Sequence, residues 1–161
     1  MVDVGFDAPT HLDTDIVHPP GTLEFAGITP PAMSTLAIET HLAEKLHAYS
    51  RPYAEGRQSS RVKDLVDIVL IGMAFELRAG NCKVAPVSSF SSRNTHAVPT
   101  HLGSPPSAWS DTYPDLARSV SLDPDITVGY AFAASLFDPL LAGNLRESAT
   151  WNSSMGKWQP G

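Results

Sequence analysis

The chain predicts a mainly α-helical protein with a short β remnant at its front. Two helical-period apolar stripes between residues 39 and 77, a further one opened by Asp123-Pro124-Asp125, and only two strand-like runs support this. The first run, Val2-Asp-Val-Gly-Phe6, alternates apolar and polar residues. Only Ser34 to Ile38 offers it a strand-like companion, and a pair of strands is a marginal sheet, so the chain reads as cut at its front. Residues 7 to 33 read as loop, broken by Pro9, Pro19, Pro20, Pro30 and Pro31 around a short apolar segment, Leu23 to Ile28.

Glu39 to Tyr49 reads as the first helix, with Leu42, Leu46 and Tyr49 on one stripe and His41 and Glu44 away from it. A polar loop, Arg51 to Ser60, follows. Ser59 or Ser60 caps a second helix running to about Leu77, ahead of Gly80-Asn81. With Val62 at 0° and 100° per residue, Leu65, Val66, Val69, Leu70 and Met73 lie within about 80° of it, while Ile68 and Ile71 cover the opposite side. Such a helix is buried on two faces. Residues 81 to 110, rich in Ser, Pro and Thr, hold at most a weak helix near Ser88 to Ser92. Trp109 to Ser119 reads as one short helix, and the last runs through Val128, Phe132, Leu136 and Leu140, bent or stopped near Pro139. Trp151 and Trp158 punctuate a polar tail and, with Trp109, read as packing anchors.

Composition narrows the function classes. At 161 residues with 42% hydrophobic content, the chain buries one core. A net charge of −6 argues against a wholly basic nucleic-acid wrapper, though Arg51, Arg57, Arg61 and Lys63 beside Lys45 supply a local basic patch. No apolar run reaches membrane-spanning length, and a single Cys82 rules out an intramolecular disulfide framework, so the cytoplasm is the expected compartment. His41 and His47, six residues apart, fall on different helix faces and do not form a metal pair.

The informative residues are Lys63, Asp64 and Asp67, charged groups within the apolar run Arg61-Val-Lys-Asp-Leu-Val-Asp-Ile-Val-Leu70. Their spacing lets the three converge on one patch. A buried carboxylate needs a cation, a donor or a ligand. The alternative is a pair of helix carboxylates neutralised by Lys63 and Arg61, with Lys45 snorkelling at the edge of its stripe. Lys45 and Asp67 lie at the margins of adjacent helices, so their charged groups are expected within about 10 Å of each other, a Debye length.

Ile38-Glu-Thr-His-Leu-Ala-Glu-Lys-Leu-His-Ala-Tyr49, the following Arg51-Pro-Tyr53, and Ser60-Arg-Val-Lys-Asp-Leu-Val-Asp-Ile-Val-Leu70 closely resemble the AbiEii/AbiGii-type nucleotidyltransferase toxin family. The resemblance continues in Phe90-Ser-Ser-Arg-Asn-Thr-His96, Pro105-Pro-Ser-Ala-Trp109, Phe137-Asp-Pro-Leu-Leu-Ala-Gly143 and the spaced Trp151 and Trp158. It implies a polymerase-β-like nucleotidyltransferase (α+β) fold, of which this chain carries the C-terminal helical part. Residues 1–38 would be the sheet remnant and connecting loop, and 39–161 the helical domain. It further implies the toxin of a toxin–antitoxin pair, acting in phage defence, with a cognate antitoxin as partner.

The implied chemistry moves a nucleotide from a nucleoside triphosphate to an acceptor such as the 3′ end of a tRNA, with Mg²⁺ as cofactor. In this picture Lys45 and Asp67 are the catalytic pair, with Lys45 on a triphosphate oxygen and Asp67 orienting Lys45 or the ribose. Arg51, Arg57, Arg61, Lys63 and Asp64 handle substrate, and Asp3 resembles the third metal carboxylate. The family's opening Gly-Ser turn and Asp-x-Asp pair should precede Asp3 and do not. Asp13-Thr-Asp15 follows Asp3 without a Gly-Ser turn and is not its substitute. The expectation is therefore a truncated toxin, inactive alone. The competing reading is a catalytically dead helical module that keeps antitoxin or RNA contacts.

Overall fold

The computed structural model describes residues 14–22, 24–52 and 61–161. Among these, five α-helices and two small antiparallel sheets make an α-rich α+β architecture. Val2 to Phe6 lies outside the described residues.

The front of the described chain is a hairpin of β1 (Thr14–Val17) and β2 (Met33–Leu36), registered Thr14↔Leu36 to Val17↔Met33. The expected loop over residues 7–33 is thus corrected at Thr14–Val17, where Thr, Ile and Val have the branched side chains that favour a strand. Nothing in the hairpin is buried, and Phe25 in its connecting 3-10 turn is 88% exposed.

The core starts with α1 (Ile38–Ser50), which buries the stripe Leu42, Leu46 and Tyr49 and ends where Pro52 forces Arg51 into extended backbone. α2 (Val62–Ala74) buries Val62, Leu65, Val66, Ile68, Val69 and Ile71, so both faces are covered as the period predicts, except at Met73, which is exposed near the helix end. Each such side chain contributes about 1.5–3 kcal/mol when fully buried. Arg61 occupies the N-cap with no side-chain cap, and Ser59 and Ser60 lie outside the described residues. At Gly72 an added Cβ would stand 2.7 Å from a ring carbon of Phe132, so glycine there lets the last helix approach.

The boundaries that follow α2 differ from the sequence expectation. α2 stops at Ala74, Leu77–Arg78 form β3, and Gly80-Asn81 begins α3 (Ala79–Arg93) rather than a loop. The expected weak helix near Ser88–Ser92 is the last part of this fifteen-residue helix. Its inward positions, Cys82, Pro86, Ser89 and Phe90, keep helical spacing, but Pro and Ser occupy two of them and hide the apolar signal. Asn94, in the left-handed region at φ 44°, closes α3 with its N–H on the Phe90 carbonyl at 2.9 Å.

Ser107–Asp111 form a 3-10 turn and α4 spans Tyr113–Ser119, so the expected single helix is broken at Thr112. α5 (Ile126–Leu141) is capped by Asp125, whose carboxylate accepts from Thr127 N–H at 2.8 Å, and it ends two residues past Pro139. The tail is not merely polar: β4 (Thr150–Asn152) and β5 (Lys157–Gln159) join β3 in a three-stranded sheet with Trp151 opposite Trp158. Trp151 is fully buried and donates its indole N–H to the Gly72 carbonyl at 2.7 Å. Trp109 is buried as well, so both anchors pack as predicted.

Candidate functional site: a charged seam between the first two helices

α1 and α2 pack side by side, and their margins bring three charged residues together. Lys45 Nζ lies 2.6 Å from Asp67 Oδ2 and 3.1 Å from Asp64 Oδ1, well inside the distance expected for Lys45 and Asp67. The Asp64 side chain is 6% exposed, against 23% for Lys45 and 38% for Asp67. Asp64, rather than Asp67, is therefore the residue whose burial demands a cation. Burial pushes Lys45 toward its neutral form, but hydrogen bonds to Asp67 and then Asp64, with their charges, outweigh it and hold its pKa above the ordinary value. A cation already seated between the two carboxylates leaves them unsuited to share a metal.

On the Asp64 side the seam opens into a cavity of about 280 Å³ lined by His41, Glu44, Lys45, His47, Ala48, Arg51, Arg61, Asp64 and Arg93. Arg61 Nη1 stands 4.0 Å from Asp64 Oδ2, an ion pair beyond hydrogen-bond reach. Arg93, from the end of α3, is paired with Glu44. Lys45 and Asp67 thus meet as the sequence predicts, and Asp64, Arg61 and Arg51 are brought beside Lys45. Lys63 is not: it is exposed, joins no ion pair among the described residues, and neutralises neither aspartate. Asp3 and Arg57 lie outside the described residues. Among the described residues no cluster of three or more His, Cys, Asp or Glu could hold a metal ion, so no chemical step is assigned to Mg²⁺ from this geometry.

Sequence reasoning missed Glu44, Arg93 and His47. Glu44 and Arg93 are separated by 49 residues, and only the packing of α3 on α1 joins them. His47 is buried. Its Nε2 meets Thr95 Oγ1 at 2.7 Å, Thr95 Oγ1 meets His96 Nδ1 at 3.0 Å, and His96 Nε2 meets Ser50 Oγ at 2.9 Å. Burial, then His96 and Arg93, lower the His47 pKa, and burial, then Arg51, lower that of His96. Cys82 is buried, and burial pushes its thiol up to about 12, with Glu39 adding to the shift, which disfavours the reactive thiolate.

A larger cavity of about 380 Å³ lies across α2, between Val69, Met73, Tyr113, Val128, Phe132 and the Ser153–Gly156 turn. None of its lining residues is a cation, and Asp123 adds a negative charge.

No helix among the described residues is long and apolar enough to cross a membrane. Neither a curated protein nor a solved structure matches the chain. A family model does: that of the nucleotidyl transferase AbiEii toxin of type IV toxin–antitoxin systems, over residues 1–142. The matched span contains Lys45, Asp64, Asp67 and every other residue of the seam, and it ends before Trp151 and Trp158. With most of its length covered by that match, the chain belongs to the AbiEii nucleotidyltransferase toxin family.

Proposed function

We propose that the seam binds the phosphates of a nucleoside triphosphate during transfer of its nucleotide to an RNA, the 3′ end of a tRNA being the favoured acceptor. The observation that carries this is Lys45, clamped by Asp64 and Asp67 beside a cavity into which Arg51, Arg61 and Arg93 also project. A fixed cation meets a phosphate oxygen without first being ordered, and the arginines add planar, multidentate donors. Asp67 orients the ammonium from the open side, and Asp64 from the buried side. The toxin family supplies the nucleotidyl-transfer class, a triphosphate substrate and a cognate antitoxin.

Mg²⁺ accompanies the triphosphate in this reading, and Asp3 is its carboxylate ligand from this chain. The compartment is the cytoplasm, where triphosphates and tRNA are abundant, and the role is phage defence.

Labelled triphosphates, Mg²⁺ and total tRNA provide the test, applied to the chain alone and to the chain joined to a Gly-Ser…Asp-x-Asp segment. The joined protein is expected to label tRNA, and Lys45→Ala to reduce that labelling by about 10²-fold or more, the scale of losing one preorganised charge stabiliser. RNA binding with no transfer in either form replaces the enzyme by an RNA- or antitoxin-binding module. Arg57→Ala with Arg61→Ala is expected to weaken RNA binding at low salt, with the loss shrinking as salt rises, since counterion release drives that affinity.

A further inference from the structure

Tyr113 is 1% exposed, yet its hydroxyl makes no hydrogen bond with any described residue. A buried tyrosine O–H ordinarily finds a partner. Burial, then Asp123 and Asp125, push its pKa up, so the group keeps its proton and is a donor without an acceptor. It stands against Gly129, where an added Cβ would lie 2.0 Å from the hydroxyl oxygen, so glycine gives it its place. Tyr113 lines the 380 Å³ cavity, and the α2 residues that line it, Val69 and Met73, are on the opposite side of that helix from Asp64 and Asp67.

The rest of the cavity sets the chemistry of a ligand. Its volume falls in the usual range of about 300–1,000 Å³ for small-molecule sites. Met73, Val128, Phe132 and Met155 supply apolar walls, and Met73, Val128 and Met155 are all exposed. Two thioethers and a phenyl ring favour an aromatic guest, since sulfur packs against ring edges and rings meet edge to face. Gly156, at φ 59°, makes room for Phe132: an added Cβ would lie 3.0 Å from the ring. Asp123 is the only charged residue among those lining the cavity, and it lies exposed at the mouth. One of its oxygens accepts from Asp125 N–H at 2.8 Å, which leaves the other to a ligand and disfavours an anion there. One wall, Ser153–Gly156, lies beyond residue 142, where the family match ends.

We propose that this cavity binds a small aromatic amine bearing a ring hydroxyl, with the ligand hydroxyl accepting from Tyr113, its ring against Met73, Phe132 and Met155, and its ammonium at Asp123. The order of the groups follows burial, the donor being at the closed end and the carboxylate at the open one. The Tyr113 hydrogen bond contributes more than the ion pair, because solvent screens a charge at an exposed carboxylate. This site goes beyond the nucleotide reading of the seam and does not rest on it.

The chain has four methionines, two of them in the cavity, so spectra of isotope-labelled methionine methyl groups read the site directly. Titration with tyramine is expected to move the Met73 and Met155 signals and to leave that of Met33, in the hairpin, unmoved. Phenethylamine, the same molecule without the ring hydroxyl, is expected to bind about fivefold to tenfold more weakly, the scale of one hydrogen bond. Tyr113→Phe should bring the two amines within about twofold of each other. The para-hydroxyphenylpropionate anion is expected to bind about threefold more weakly than tyramine at low salt, a margin that added salt shrinks and Asp123→Asn erases, asparagine still accepting from Asp125 N–H. Lys45→Ala should change none of these affinities, which separates this site from the seam. If tyramine at about 10 mM moves neither cavity methyl, the proposal is overturned. Equal binding of tyramine and phenethylamine overturns the hydroxyl assignment, and equal or tighter binding of the anion overturns the amine assignment. These comparisons on the unmodified chain decide the matter even if a variant fails to fold.

Discussion

Toward α5 and the terminal sheet, α2 buries only apolar surface, with Gly72 admitting the Phe132 ring and Trp151 closing over its carbonyl. Toward α1, the same helix buries the Asp64 carboxylate and half-buries Asp67 around one ammonium. The first face is what any stable helix needs. The second is a poor way to hold two helices together, since desolvating ions consumes most of what their attraction returns, and apolar residues of similar volume often do as well or better. If the seam binds nucleotide as proposed, the two faces separate stability from activity on a single helix.

Removing the apolar cover should have the largest effect. Trp151→Ala is expected to lose about 3–5 kcal/mol in urea unfolding, the range for deleting a large buried aromatic. Nucleotide affinity should persist in whatever fraction stays folded, and selective loss of binding in the folded fraction would show that the two faces are coupled.

On the charged face, Lys45→Ala strands the Asp64 carboxylate and is expected to cost about 2–3 kcal/mol, somewhat below a fully buried pair because Lys45 is partly exposed. Lys45→Met combined with Asp64→Leu should recover most of that stability while nucleotide binding stays lost. Recovery of both would leave the seam a structural element only.

A smaller effect concerns the histidines that join α1 to the end of α3. His47 and His96 are held below the ordinary value of 6.5, so between 6.5 and their folded values the unfolded chain binds more protons. Their contribution is complete above that ordinary value and drains away as pH falls below it. Melting temperature should therefore drop between about pH 7 and about pH 5, and His47→Gln should flatten part of that drop. The Lys45 pairing has the opposite sense: it is intact below the ordinary lysine value of 10.5 and is lost as pH rises through the raised one. The smallest change is Lys63→Ala, expected within about 0.5 kcal/mol because the side chain is exposed and outside the seam.

The helical period made α1 and α2 legible, and with them the approach of Lys45 to Asp67 from the margins of adjacent stripes; the pairing of Lys45 with Asp64 was not. What stayed hidden depends on distant partners. α3 was masked by Pro86 and Ser89 at inward positions, which are buried although neither residue type signals a core. The Trp151–Trp158 strands are three residues each, too short to show alternation. Lys63 misled for a plain reason: sharing a helix flank with Asp67 left it pointing to solvent, while the cation that Asp64 needed came from the other helix. The Glu44–Arg93 pair exists only once α3 lies on α1.

The indole of Trp151 also shows that the limit of recognisable ancestry and the limit of the folding unit do not coincide. The family match stops at residue 142, yet nine residues later a side chain enters the interior and ties itself to the middle of α2. A chain trimmed to the matched span would retain every residue of the charged seam and lose the wedge behind it. The helix that presents Asp64 and Asp67 would then have one side open to water. Domain boundaries drawn from kinship alone would, for this protein, cut through its own scaffold.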